Sequence, residues 1–222
     1  MKKFLTVIIL LVALTLVGCA EKEVDGDRVT YLQTTSLYGS EGNLRLCIRS
    51  GRAESSPTAD GKQGEMQGFA VMNLRVIDGS AGDNAYSYKF VIGEEEFSGE
   101  FVRDRFGSSF SANLSGDTDV SQLTAVTVIC GDNEVTVPVE DMMADLIIDA
   151  DKALELALSA LKSDLEAEEK EGFVREIHVK FLNDGHNPSS KYYWYVAFIR
   201  ADAPYWALLI DPDTGDIVAK RK

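Results

Sequence analysis

The chain has 222 residues and a formal charge of −14, from 36 acidic and 22 basic residues. That length accommodates one large or two ordinary domains. The charge repels phosphate backbones and anionic lipid surfaces, which argues against nucleic acid as a partner and against membrane binding through a basic patch.

The first stretch is Met1-Lys2-Lys3, an apolar run from Phe4 to Val17, then Gly18-Cys19. A basic start, a short apolar core and a small-residue exit describe a secretory leader. The run is 14 residues long, short of the ~20 a helix needs to cross a bilayer. Leu16-Val17-Gly18-Cys19 resembles the lipobox of bacterial lipoproteins. The resemblance implies removal of residues 1–18, acylation of Cys19, and anchoring at the extracytoplasmic face of the cell or outer membrane. Residues 19–28 are rich in charge and suit a short tether.

From Val29 to about residue 140 the text is strand-like. Leu44–Ile48, Phe69–Ile77, Tyr86–Ile92, Phe97–Val102, Ser109–Leu114, Leu123–Ile129 and Glu134–Val139 are short runs rich in β-branched and aromatic residues. Gly- and Asp-rich turn signals separate them, and Gly51 to Gly68 reads as a loop. This spacing predicts an antiparallel β-sandwich over 29–140. Cys47 and Cys130 lie in two of the runs. In an exported protein they can form a disulfide or serve as small buried thiols, and the sequence leaves both readings open.

After Val139 the period changes. Leu154, Ala157, Leu158, Leu161 and Leu165 recur at three and four, which predicts a helix from about Ala150, capped by the Asp149 carboxylate. Val174–Leu182 alternates as a half-buried strand. Tyr192–Arg200 and Tyr205–Asp211 follow, and the turn Asp211-Pro212-Asp213-Thr214-Gly215-Asp216 leads into Ile217-Val218. Residues 145–222 thus form a compact α+β unit, and the predicted fold class is α+β overall. The stretch Ile148–Ala157, the aromatic strand Tyr192–Phe198 and the closing run Ala207–Val218 resemble a PepSY domain. That resemblance implies inhibition or regulation of peptidases near the cell surface and carries no catalytic residues with it.

The remaining motifs point away from chemistry. The acids of Asp211–Asp216 sit at alternate positions, as calcium ligands do, but no bidentate Glu closes the set, and a hairpin turn with solvated acids fits better. Glu94-Glu95-Glu96 and the Glu166–Glu171 acids read as solvated charge. His178 falls on the polar side of its strand and His186 in a loop, with no nucleophile elbow to join. No catalytic residue, metal site or cofactor is expected. The unusual feature is that Tyr192–Ile199 and Tyr205–Ile210 are apolar on both alternating sets, whereas a helix covers one face. The second face calls for the sandwich, a second copy, or a protein partner bound through Tyr192, Tyr193, Trp194, Tyr195, Tyr205 and Trp206. The expected function is a membrane-anchored, non-catalytic binding or regulatory module, with an envelope peptidase as one candidate partner. The alternatives are a structural or small-ligand-binding envelope protein and, more weakly, a hydrolase.

Overall fold

The computed structural model describes residues 28–56, 61, 63–77, 84–105, 109–183 and 190–222. Its strands in chain order are β1 (Val29–Glu41), β2 (Leu44–Glu54), β3 (Met66–Val76), β4 (Ser87–Ile92), β5 (Glu95–Glu100), β6 (Val102–Arg103), β7 (Ser109–Leu114), β8 (Ala125–Cys130) and β9 (Asn133–Asp141). One helix, α1 (Ala150–Lys170), then precedes β10 (Glu176–Leu182), β11 (Tyr193–Arg200), β12 (Ala203–Ile210) and β13 (Ile217–Arg221). The Asp149 carboxylate accepts the Lys152 amide at 2.8 Å, which caps the first turn of α1.

All thirteen strands belong to one continuous sheet. This corrects the predicted sandwich followed by a separate helix-on-sheet unit. Along one path the order is β13-β12-β11-β10-β1-β2-β3-β7-β6. A second path leaves β1 through β9, β8 and β4 to β5. Only Phe101 separates β5 from β6, and its amide bonds the Tyr86 carbonyl at 2.9 Å. A bent strand therefore joins the two paths, and β1 to β9 roll into a nearly closed barrel. Alternating residues of these strands point inward, so Leu46, Ile48, Met72, Leu74, Phe110 and Val126 fill its interior. Alternation in a short strand marks one buried face. It does not say whether that face meets a second sheet or the far wall of its own, and here it meets its own.

The strand that makes this possible is β1, whose polar text (Thr34, Thr35, Ser36, Gly39, Ser40) is not among the runs that the sequence singles out. One edge of β1 pairs with β2. The other edge pairs first with β10, in parallel, through Val29, Tyr31 and Leu32, and then with β9 through Leu37 to Gly39. The sheet forks between these two partners. Gln33 fills the crotch, fully buried. Its Oε1 accepts the Phe181 amide at 3.2 Å and its Nε2 donates to the Thr35 carbonyl at 3.2 Å. Backbone groups that the fork leaves without a ladder partner are thereby satisfied. Gly51 lies opposite Gln33, where a Cβ would overlap the Leu32 carbonyl oxygen, so the two chains approach this closely only without a side chain.

Beyond the fork, β10 to β13 carry a second core. Ala153, Leu154, Ala157, Leu161 and Leu165 of α1 pack on Val29, Ile177, Val179, Phe181, Trp194, Val196 and Phe198. The predicted loop from Gly51 to Gly68 is shorter than expected. β2 runs on to Glu54, β3 begins at Met66, and the Ser55 amide extends the ladder to the Glu65 carbonyl at 3.0 Å.

Candidate functional site

A cleft of about 530 Å3 opens where the end of β10 and the residues before β11 lie against the outer wall of the barrel. Strand register builds that wall. Because successive side chains alternate, the residues of β2 whose neighbours fill the barrel point outward. Arg45 stands opposite Arg75, and Arg75 opposite Ser109. One row along, Tyr38, Cys47 and Asn73 stand side by side. In the next row Arg49 is paired with Val71. Leu182, Asn183 and Tyr192 close the cleft from the C-terminal strands. Its size lies within the usual range for small-molecule sites.

Two of the guanidiniums, those of Arg45 and Arg49, are held in place by neutral groups. Arg45 Nη1 donates to the carbonyls of Gly42 and Leu44 at 2.9 and 2.8 Å, and Arg49 Nη2 donates to Asn73 Oδ1 at 2.7 Å. Burial pushes the Cys47 thiol up, against the pull of Arg49, so the nucleophilic thiolate is disfavoured. Tyr192 is pushed up to about 12 by burial, with Cys47 and Tyr38 adding to it, and remains a protonated donor. Lys180 lies close enough that burial and then the Arg49 charge lower its pKa. Its ammonium rests 4.5 Å over the Tyr31 ring.

The six aromatic residues singled out from the sequence separate. Trp194 and Trp206 turn toward α1. Trp194 is fully buried and its Nε1 donates to the Ile148 carbonyl at 2.7 Å, while Trp206 lies 3.8 Å beneath the Arg175 guanidinium. Tyr192 stacks on Phe181 at 5.1 Å and lines the cleft. Tyr193, Tyr195 and Tyr205 lie on the sheet face opposite α1. Tyr193 and Tyr195 are half-buried, and Tyr205 is exposed and accepts Arg221 Nη1 at 2.5 Å. Ala197 and Ala207 sit in one row between His178 and Arg221, and both are buried.

Cys47 and Cys130 are both free thiols. Cys47 faces the cleft and Cys130 packs against the barrel core, so the two lie on opposite sides of the wall. Both should alkylate in unfolded, unreduced protein, and a linked peptide pair in non-reducing mass spectrometry would contradict this. Asp211 and Asp213 both pair with Lys191 Nζ at 2.8 Å, so the turn that resembles calcium spacing is closed by an ammonium ion. Cys19 and His186 lie outside the described residues.

His178 faces the Tyr31 ring, 5.6 Å away. Burial, and then the charge of Lys180, hold its pKa down at about 4. The unfolded imidazole takes up a proton near its ordinary value, whereas the folded one waits until about pH 4. Its contribution to stability is therefore present above pH 6.5 and is lost as the pH falls from 6.5 to 4. Because His178 is only half-buried, the loss should be about 1–2 kcal/mol, less than the full shift implies. Urea unfolding between pH 7 and 4.5 should show a shallower fall for His178→Gln than for the natural chain, and parallel curves would refute the assignment.

Sequence reasoning missed Arg45, Arg49, Asn73 and Arg75. A signal was present. Leu44 to Ala53, Met66 to Ile77 and Ser109 to Gly116 contain no Asp or Glu, in a chain with 36 acids. Those three stretches become adjacent strands, and only their adjacency turns scattered arginines into a site. No family model, curated protein or solved structure matches this chain.

Proposed function

We propose that the protein is a lipid-anchored, extracytoplasmic binding protein that takes a small ligand in the cleft at the fork and performs no chemistry on it. One observation carries the reading: polar side chains from four strands of the barrel converge with Tyr192 and Asn183 around a concave space of ligand size. The high pKa of the Cys47 thiol supports a binding role over a catalytic one, since it is the nucleophile nearest the convergence. The reading is tested by screening a chemically diverse small-molecule set against the detergent-solubilised full-length protein by thermal shift. Hits should bind saturably and lose affinity when Asn73 or Tyr192 is changed. A screen with no saturable hit would refute it.

A second reading, modulation of an envelope peptidase or other surface protein, draws on the face opposite α1. There Tyr205 is 37% exposed, and the edge strand β13 next to it is exposed along its length, including Ile217 and Val218. Tyr205→Ala would then weaken capture of that protein with little loss of stability.

The anchor rests on Cys19. Acylation requires the thiol, so Cys19→Ser should accumulate as an unprocessed precursor that incorporates no lipid label. Normal maturation and membrane retention of that variant would refute the lipoprotein assignment.

A further inference from the structure

We infer that copies of this chain add to one another head to tail, the edge strand β13 of one copy pairing antiparallel with the edge strand β5 of the next. The inference does not depend on the cleft. It takes the exposed edge of the second reading and names a second copy of this chain as its occupant.

Both strands have a free side. Among the described residues β13 pairs only with β12, and β5 only with β4. Each strand therefore keeps one row of backbone groups without a ladder partner. All five residues of β13 are exposed, and so are Glu95, Glu96, Ser98 and Glu100 of β5. An exposed row of amides and carbonyls is a template for a further strand. The two strands are also matched in length, at five and six residues.

Their charges are opposite. β13 ends in Lys220 and Arg221, and β5 begins with Glu95 and Glu96. Lys220 Nζ donates to the Ala160 carbonyl at 3.2 Å, and the Arg221 guanidinium lies 4.2 Å over the Tyr205 ring. Those partners are neutral, so both charges persist, whereas Lys222 is taken by Asp164. Charged side chains on an edge deter pairing with another edge. Here they deter it selectively. Two β5 edges laid antiparallel and fully overlapped set Glu95 against Glu100, and two β13 edges offer their cations no carboxylate. Like meets like poorly, and only the unlike pair is matched.

One register satisfies every position. With Ala219 opposite Phe97, Arg221 stands opposite Glu95 and Lys220 opposite Glu96, while Val218 meets Ser98 and Ile217 meets Gly99. Opposite charges facing each other across a strand pair have Cβ atoms about 5 Å apart and favour the pairing. Because 95 and 96 point to opposite faces, one ion pair forms on each side of the joint. The contact joins two different surfaces of the molecule, so it does not close at two copies. It is small, which places it among the weak, concentration-dependent contacts.

Sedimentation of the detergent-solubilised full-length protein, followed up to millimolar concentration, tests this. The average mass should rise with concentration and pass that of two copies. Lys220→Glu combined with Arg221→Glu should weaken association at least tenfold, and so should Glu95→Lys combined with Glu96→Lys. The second change makes the chain less acidic, so general repulsion between copies would predict the reverse. Mixing the two double variants should restore association, because each then carries an edge that matches one on the other, although both remain strongly acidic. Circular dichroism follows folding. Should a variant fail to fold, copies with Ser98→Cys mixed with copies with Val218→Cys decide the matter, since a disulfide should link those two positions between copies. A monomer at every concentration, a dimer that grows no further, undiminished association of either double variant, or absence of that disulfide would overturn the inference. Capture of a different surface protein is read separately, through Tyr205→Ala, so failure here leaves the second reading standing.

Discussion

Arg175→Ala should lower the unfolding free energy by about 3 kcal/mol, because it removes the buried partner of an ion pair, with its carbonyl and ring contacts, and leaves the half-buried Glu168 behind. Arg175 is 3% exposed. Its Nε and Nη2 donate to the two oxygens of Glu168, at 2.5 and 2.8 Å, in a planar fork. Its Nη1 reaches the carbonyls of Pro204 and Phe198 at 3.0 and 3.4 Å, and its flat face covers Trp206. One side chain thus ties the last turns of α1 to β11 and to the start of β12. Arg200 adds to the clasp, 3.6 Å from Glu168 and stacked 4.1 Å over Phe173. Arg175→Lys should recover little, since an ammonium cannot reproduce the fork or the stack. The double variant Arg175→Met with Glu168→Leu should recover much of the loss, since no charge is then left buried. Denaturant unfolding measures all three, and a loss below about 1 kcal/mol for Arg175→Ala would show that the clasp is dispensable.

Trp194→Ala should cost about 4 kcal/mol, the usual scale for a large ring removed from a packed interior. The indole is fully buried and meets the Phe181 ring at 4.9 Å, beneath α1. Trp194→Phe separates two contributions. It keeps most of the ring and leaves the Ile148 carbonyl without its donor, which should cost about 1–2 kcal/mol. The position of that carbonyl matters, because the Ile148 amide is itself bonded to the Pro212 carbonyl at 2.9 Å. Ile148 is therefore held at both ends, to β11 and to the turn before β13, and so fixes the chain that leads from the barrel into α1. Hydrogen exchange at residues 142–149 should accelerate in Trp194→Phe before global stability is much reduced. Unchanged exchange there would show that the indole bond does not hold the connection.

Both clasps combine groups that sequence reading treats separately. The three-and-four spacing of Leu154, Ala157, Leu161 and Leu165 identified α1, and Asp149 marked its start, because helix periodicity and capping are local. Strand runs such as Phe69–Ile77 and Tyr86–Ile92 were legible for the same reason: each alternates or carries β-branched and aromatic residues over a short range. The two-sided apolar character of Tyr192–Ile199 was legible too. Which of its aromatics would turn inward was not, since both parities are apolar and only the position of α1 chooses between them.

What the tertiary structure alone decided is how the strands close and where they part. Barrel and sandwich strands have the same alternation, and the choice between them depends on pairings far apart in sequence, β1 with β9 and the bent passage through Phe101. The decisive strand, β1, is polar in text because it is covered by neighbours on both edges and filled at the fork by Gln33, whose burial depends on hydrogen bonds that no pattern of hydropathy records. The cleft follows from that fork. Arg45, Arg49 and Arg75 were ordinary outward residues of two separate acid-free stretches until register placed those stretches on adjacent strands and the diverging strands of the C-terminal half closed over them. Local preference made the elements of this protein, and long-range pairing made its site.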